Sequence, residues 1–341
     1  MGNIFKIVLV IIGTIIGAGF ASGKEIEIFF IDYGVIGIIG LLITSAVMSL
    51  IVYKILKIVE NKKIKNYEQF LEETCNLKSS NTNMLKDIIK CIMNIFLLVT
   101  FFAMTSGFSS FFKQEFGIPM IISSIVFVIL CYITLLGNIN GVVKINTVLI
   151  PFLILYILFL GLKNMPNISF GATREIKQGW MFSSLLYASY NSLMLIPVLI
   201  DLKKYYEGKK NIKNIAVCLF VTFFIIMITI FSCLFGREEI GNIELPMLYV
   251  IKNFGSIYQG LYGLIIVIAI FTSAIAAEYG FLVNVTKTRK QYTKMLIIVS
   301  IFSAVFSQVS FSYFIKIMYP FFGFLGLLQI FLIFKNKCSR I

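Results

Sequence analysis

The stretch GTIIGAGFASGKE, Gly13–Glu25, lies inside the first hydrophobic run of the chain. It contains four glycines, the hydroxyl residues Thr14 and Ser22, and a Lys-Glu pair at its end. Glycine weakens a helix because its backbone loses the most conformational freedom on ordering. A helix that only anchors a protein in lipid does not need such a segment. The stretch therefore predicts a membrane helix that is interrupted near Gly17–Gly23.

The composition predicts an integral membrane protein. Of the 341 residues, 59% are hydrophobic and 13% are charged, whereas soluble domains carry about 45–50% apolar and about 25% charged residues. The net charge of +14 is interpreted as an excess of basic residues on cytoplasmic loops, so no nucleic acid partner is expected. The chain has no histidine, which removes the commonest general base and metal ligand and disfavours an enzyme.

Ten hydrophobic stretches are long enough to cross a bilayer, which needs roughly 20 apolar residues. We number them spans 1 to 10, and they are residues 4–31, 34–59, 85–112, 117–137, 142–162, 174–202, 211–236, 255–286, 291–309 and 313–334. Short helices are also expected within residues 60–84 and over Glu244–Phe254. The prediction is one all-α transmembrane domain over residues 1–341, without a cleavable signal peptide. Most of the 30 basic residues then fall on one side, which predicts a cell-membrane protein with both termini in the cytoplasm.

Two markers predict that the spans form two similar halves of five, at about residues 1–165 and 170–341. The step from Phe20 in span 1 to Tyr190 in span 6 is about 170 residues, and so is the step from Pro151 to Pro320. Because five is odd, the second half must be inverted in the membrane. Paired interruptions in spans 1 and 6 would then mark a transporter site near the bilayer midplane. The alternative is that the small residues near the expected interruptions only permit close helix packing.

A broken membrane helix exposes backbone groups that a ligand can satisfy. Freed carbonyls suit a hard cation, while the N-terminus of the resumed helix suits a carboxylate. Span 1 is therefore predicted to bind an ion and an anionic group next to each other.

The pattern Gly13-x-x-x-Gly17-x-Gly19 resembles the unwound helix 1 of the amino acid–polyamine–organocation (APC) superfamily, which has the LeuT fold. This resemblance implies a sodium site built from the carbonyls of Gly13 and Ile16. Span 8 contains the sequence AIFTS. By the same resemblance it would add the Ala269 carbonyl and the hydroxyls of Thr272 and Ser273.

A longer stretch of sequence around span 1 carries a second resemblance. The stretch GAGFASGKEIEIFFIDYG looks like that of YkvI-type membrane proteins, and the similarity covers essentially the whole chain. Members of that group usually carry glutamine where this chain has Lys24.

The substrate site is predicted around the two expected breaks. The predicted lining comprises Gly17, Ala18, Gly19, Phe20, Ser22 and Gly23 of span 1, with Tyr187, Ser189, Tyr190 and Asn191 of span 6. Aromatic packing is the alternative role of the span 6 residues.

Four charged residues are candidates for gating or proton coupling. Lys24 and Glu25 follow the break, where they could form an external gate or lie near the headgroups. Glu278 lies in span 8, where burial disfavours its charged form, so it could carry a proton. Lys144 opens span 5, and in some proton-coupled relatives a lysine of this helix replaces sodium. An interfacial position is its other interpretation.

The sequence thus predicts a secondary transporter of a small organic solute, with an amino acid as the expected substrate. The substrate carboxylate would lie at the amides around Gly17–Gly23, and sodium or protons would drive alternating access. The alternative is an amino acid sensor on the same fold, like the membrane subunit of spore germination receptors.

Overall fold

The computed structural model describes residues 2–75, 81–137, 140–164, 177–206 and 208–335, and the regular structure in them is helical. In chain order the helices are α1 (Gly2–Ile15), α2 (Ala18–Ala21), α3 (Lys24–Phe29), α4 (Gly37–Asn61), α5 (Tyr67–Cys75), α6 (Asn81–Phe116), α7 (Met120–Leu136), α8 (Asn140–Asn164), α9 (Trp180–Asp201), α10 (Lys209–Leu234), α11 (Pro246–Lys252), α12 (Ser256–Val285), α13 (Arg289–Phe306), α14 (Phe311–Tyr313) and α15 (Tyr319–Lys335). Short 3₁₀ turns cover Ile31–Ile36, Leu202–Tyr205 and Glu238–Asn242, and a π turn covers Phe314–Met318.

Span 1 is interrupted, as the glycines predict, and it is interrupted twice. The first break lies between α1 and α2, where the Gly17 N–H donates to Ile15 O at 2.9 Å instead of bonding four residues back to Gly13. The second break separates α2 from α3, and Gly23 adopts a left-handed conformation there, with φ of 81°. Only glycine takes this conformation at little cost.

The predicted break in span 6 is wrong, because α9 runs without interruption from Trp180 to Asp201. Its polar residues bond back to the carbonyls of their own helix. Asn191 Nδ2 donates to Tyr187 O at 3.0 Å, and Ser192 Oγ donates to Ser189 O at 2.7 Å. Side chains that donate hydrogen bonds to carbonyls of the preceding turn can bend a helix without interrupting it.

The chain is a multi-pass membrane protein. Within the described ranges, six helices are long and apolar enough to cross a bilayer, at Ile31–Asn61, Asp87–Phe116, Trp180–Asp201, Asn211–Leu234, Ser256–Val285 and Phe311–Lys335. Shorter apolar helices lie at Ile4–Ile15, Met120–Leu136 and Leu149–Asn164. Outward-facing Ile133, Val305 and Phe324 are each 62% exposed, as expected of side chains that face lipid.

The two short helices predicted in the connections are present. Helix α5 follows α4, and α11 precedes α12. Helix α5 lies between spans 2 and 3, and α11 lies between spans 7 and 8. These are the second and third spans of each predicted half.

The packing places span 1 in the interior of the molecule. Helix α1 packs against α9 and α10, α2 against α12, and α3 against α9 and α10. Around them α6 packs on α12, and α9 packs on both α4 and α15. The breaks of span 1 are therefore surrounded by protein, where irregular backbone is tolerated in a membrane.

Candidate functional site

A buried carboxylate joins span 1 to span 6. Glu25 lies in the first turn of α3 and is 3% exposed. Tyr187 and Tyr190 are three residues apart on α9, so their side chains lie on one helix face. Both hydroxyls donate to Glu25 Oε2, at 3.0 Å from Tyr187 and 2.6 Å from Tyr190.

Further aromatic rings surround these tyrosines. The ring of Phe29 lies 5.2 Å from Tyr187, and the rings of Tyr319 and Phe96 lie 4.9 Å and 6.5 Å from Tyr190. We call these five residues, Phe29, Phe96, Tyr187, Tyr190 and Tyr319, the aromatic enclosure. They come from α3, α6, α9 and α15, so four helices meet beside one carboxyl group.

Gly19 allows the carboxyl group to lie against the backbone of α2. A Cβ placed on Gly19 would be 2.2 Å from Glu25 Oε1 and 2.8 Å from its Cδ. Any larger residue would have to displace the carboxylate. This close approach gives Gly19 a role that its place in the glycine pattern did not specify.

The carbonyls at the second break of span 1 are occupied by protein donors. Ser22 O accepts from the Met247 N–H at 2.8 Å, and Ala21 O accepts from the Tyr262 hydroxyl. Gly19 O accepts from Ser22 Oγ at 3.0 Å. These bonds fix the second break to α11 and α12, so the first break is the better place for freed carbonyls.

Lys24 is buried, and it contacts residues from the second half of the sequence rather than lying near headgroups. It is 2% exposed, and its Nζ lies 2.9 Å from Glu27 Oε2. The same ammonium donates to the carbonyls of Ile240 and Gly241, at 3.4 Å and 3.0 Å. Lys24 therefore connects α3 to the 3₁₀ turn Glu238–Asn242.

The first break of span 1 lies beside Ser273, one of the residues of the predicted sodium site. A Cβ on Gly17 would lie 3.9 Å from Ser273 Oγ, so the break faces α12 at this hydroxyl. Thr272 is buried, and its Oγ1 donates to Ala269 O at 3.2 Å. Ile16 lies in the break itself.

Gly13 has a packing role of its own. A Cβ there would be 2.1 Å from Ile150 Cδ1 of α8.

Several predicted pocket residues make packing contacts. Phe20 is buried and stacks on Phe223 of α10, with ring centroids 5.9 Å apart. Ser189 Oγ donates to Gly323 O at 2.6 Å, which joins α9 to α15. Ala18 is also buried in the core, and Gly23 packs against the side chains of α10 and α11.

Glu278 is fully buried on α12. Neither of its carboxylate oxygens has a hydrogen-bond partner in the described part of the chain. The side chain of Lys144 lies outside that part, so its predicted role is untested. Among the described residues no three His, Cys, Asp or Glu side chains form a group that could hold a metal.

Four residues at these positions were not predicted from the sequence, namely Phe29, Phe96 and Tyr319 of the aromatic enclosure and Tyr262 at the second break. Phenylalanine is abundant in this chain, with 34 copies, so single aromatic residues carried little signal. Tyr319 directly precedes Pro320, whose place in a span was recognised as a marker of the repeat.

Comparison with known proteins supports the membrane assignment. No protein-family model matches the chain. It is 24% identical over 351 residues to the uncharacterized membrane protein YkvI of Bacillus subtilis (strain 168), an alignment covering 99% of this chain and 97% of YkvI. It is also 24% identical over 325 residues to the uncharacterized protein YyaD of the same strain, covering 94% of this chain and 93% of YyaD.

Two solved structures with a similar fold are membrane transporters. A Na⁺-coupled sialic acid symporter in its substrate-bound outward-open state matches with a TM-score of 0.54 and 15% identity, covering 98% of this chain and 79% of the symporter. A single-residue variant of the Eremococcus coleocola manganese transporter matches with a TM-score of 0.56 and 13% identity, covering 96% of this chain and 77% of the transporter. At these identities the likeness defines the fold, which is one that membrane transporters use.

Proposed function

We propose that the chain is a secondary active transporter, and not an enzyme, that moves a small organic solute across the cell membrane by alternating access. One observation carries the proposal: span 1 is broken twice in the interior of a transporter fold, with the first break facing Ser273 of α12. Broken helices that line an enclosed site are the usual binding elements of such transporters.

The packing supports ten spans in two inverted halves, as in the LeuT fold of the APC superfamily. Helices α4, α6 and α7 each pack against the helix five spans later, which is α10, α12 or α13. The short helices α5 and α11 occupy equivalent places in the two halves. With ten spans, both termini lie on one side, and the basic loops favour the cytoplasm.

An amino acid is the proposed substrate, with its carboxylate at the start of α2. The amides of Ala21, Ser22 and Gly23 already bond to backbone carbonyls. The first amides of a helix have no partner within it, which leaves those of Ala18, Gly19 and Phe20 as donors to the carboxylate. A transported manganese ion is less suited, because the described residues contain no cluster of metal-binding side chains.

Sodium is the proposed coupling ion. Because the Gly17 N–H turns to Ile15 O, the Gly13 carbonyl is without its usual helical donor and is available to a hard cation. Ile16 O and Ala269 O, with the hydroxyls of Thr272 and Ser273, would complete the site. Protons are the alternative, with Glu278 as the carrier, since its buried carboxylate has no partner among described residues.

Replacement of the two hydroxyl residues tests the sodium assignment. Thr272→Ala and Ser273→Ala each remove one oxygen ligand, so half-maximal uptake should require at least tenfold more sodium. The measurement is uptake of a radiolabelled amino acid mixture into proteoliposomes as sodium replaces choline. Thr134→Ala is the matched control, because Thr134 Oγ1 only donates to Leu130 O on an exposed face of α7. An unchanged sodium requirement in both variants would contradict the assignment.

A further inference from the structure

We propose that Glu25 and the aromatic enclosure form a binding subsite for a cationic amine, so that the transported solute carries an ammonium group. This inference rests on the proposed transport function, and it names the part of the substrate that the protein recognises. It assigns Glu25 to substrate binding rather than to gating or proton coupling.

Among the residues that the structure describes, no cation balances a charge on Glu25. The neighbouring Lys24 ammonium is engaged with Glu27 and with the carbonyls of Ile240 and Gly241. In the described part of the chain, no lysine or arginine forms an ion pair with Glu25, and its polar side-chain partners are the hydroxyls of Tyr187 and Tyr190. A buried carboxylate is costly unless a counter-charge accompanies it. A bound ammonium ion would supply that charge.

The walls beside Glu25 suit an organic cation. Aromatic faces carry negative potential and attract ammonium groups, more strongly where water is excluded. Tyr187 and Tyr190 are 0% and 3% exposed, so both rings are shielded from the solvent around the protein. A metal ion would need several oxygen ligands, whereas in the described part of the chain the hydroxyls that bond to Glu25 are those of Tyr187 and Tyr190.

The position of Glu25 beside α2 favours a zwitterion. Oε2 receives both tyrosine hydroxyls, and Oε1 lies beside Gly19. Gly19 is also one of the residues whose amide is proposed to bind the substrate carboxylate. One α-amino acid could therefore place its ammonium group at Glu25 and its carboxylate at α2.

Matched probes test the subsite on the purified full-length protein. The probes are the standard amino acids, the amines made by removing their carboxylates, and the acids made by removing their amino groups. A ligand of the folded state raises the melting temperature by mass action, and the concentration dependence of this rise gives an apparent Kd. We expect stabilisation by at least one amino acid and none by its deaminated acid.

The variant Glu25→Gln should weaken binding of the stabilising amino acid at least about thirtyfold, as expected when one partner of a buried charge pair is removed. Glu68→Gln is the control, because Glu68 is an exposed carboxylate that pairs with Lys90 on the surface. Equal stabilisation by the deaminated acid, unchanged affinity in Glu25→Gln, or no stabilisation by any amine-bearing probe would overturn the proposal. The comparison of probes on the unmodified protein stands even if Glu25→Gln does not fold.

The same probes separate this inference from the transport function. Glu25-dependent binding of amines without uptake into proteoliposomes would leave the subsite intact and reject transport. Uptake of a solute that lacks an amine, unaffected by Glu25→Gln, would retain transport and reject the subsite.

Discussion

Glu25 illustrates how much of a site can be recognised from a single residue in the sequence. A charge inside a membrane span is expected to be functional, so Glu25 was a candidate before its surroundings were known. Its partners Tyr187 and Tyr190 were also candidates, yet nothing in the sequence joined them to Glu25, because they are more than 160 positions away. The contact depends on how α3 packs against α9, which no local pattern specifies.

The glycine beside this carboxylate gives a direct prediction. Gly19→Ala should weaken amino acid binding by tenfold or more, because the new Cβ would occupy the place of the Glu25 carboxyl group. The measurement is the apparent Kd from thermal stabilisation.

Gly260→Ala is the control for that variant, since a Cβ at Gly260 would meet nothing within 4 Å. In a helix interior alanine is favoured over glycine by up to about 1 kcal/mol, so Gly260→Ala should keep or raise the melting temperature. Wild-type affinity in Gly19→Ala would show that the carboxyl position is unimportant for binding.

Among the elements, span 1 was predictable and span 6 was not. The glycine density of span 1 exceeds what packing requires, and both breaks fall at its glycines. In span 6 a break was predicted near Tyr190, but the side chains of Asn191 and Ser192 bond to the carbonyls of their own helix. A polar side chain can accompany a break in a helix, or it can bond to a carbonyl of an intact helix. The outcome depends on the side-chain rotamer and the neighbouring residues, which the sequence alone does not give.

The contact between α9 and α15 depends on small residues. A Cβ on Gly323 would be 2.6 Å from the backbone oxygen of Leu186, and backbone cannot move aside as a side chain can. Gly323→Ala should therefore lower stability by about 1–3 kcal/mol, the usual cost of overpacking, seen as a lower melting temperature in detergent. Gly260→Ala again serves as the control, and equal melting temperatures for the two variants would contradict this close packing.

The ion pair of α3 gives a prediction about coupled residues. Lys24→Met should be strongly destabilising, by about 3–5 kcal/mol, because it removes the ammonium group that lies 2.9 Å from the buried Glu27 carboxylate. The double variant Lys24→Met/Glu27→Gln removes both charges and should recover much of the lost melting temperature. A double variant that is as unstable as the sum of the two single variants would show that the pair is not coupled.

Across the whole molecule, the composition and the lengths of the apolar stretches were enough to predict a multi-pass helical membrane protein. The ends of most helices fall within a few residues of the predicted spans, since lipid thickness sets both. The arrangement of helices around the site was not predictable from periodicity. The resemblance of span 1 and span 8 to a known fold predicted a transporter, and membrane transporters are among the solved structures that share this chain's fold.

Uptake by reconstituted protein tests the central claim, which is coupled transport of an amine-bearing solute. Proteoliposomes containing the full chain would be given a radiolabelled amino acid mixture, with sodium or choline outside. We expect accumulation above the equilibrium level that requires an inward sodium gradient and is lost in Glu25→Gln. Accumulation driven by a proton gradient and not by sodium would show that protons are the coupling ion. Uptake no greater than in protein-free liposomes under either gradient, with amino acids still stabilising the purified protein, would contradict transport and favour a sensor.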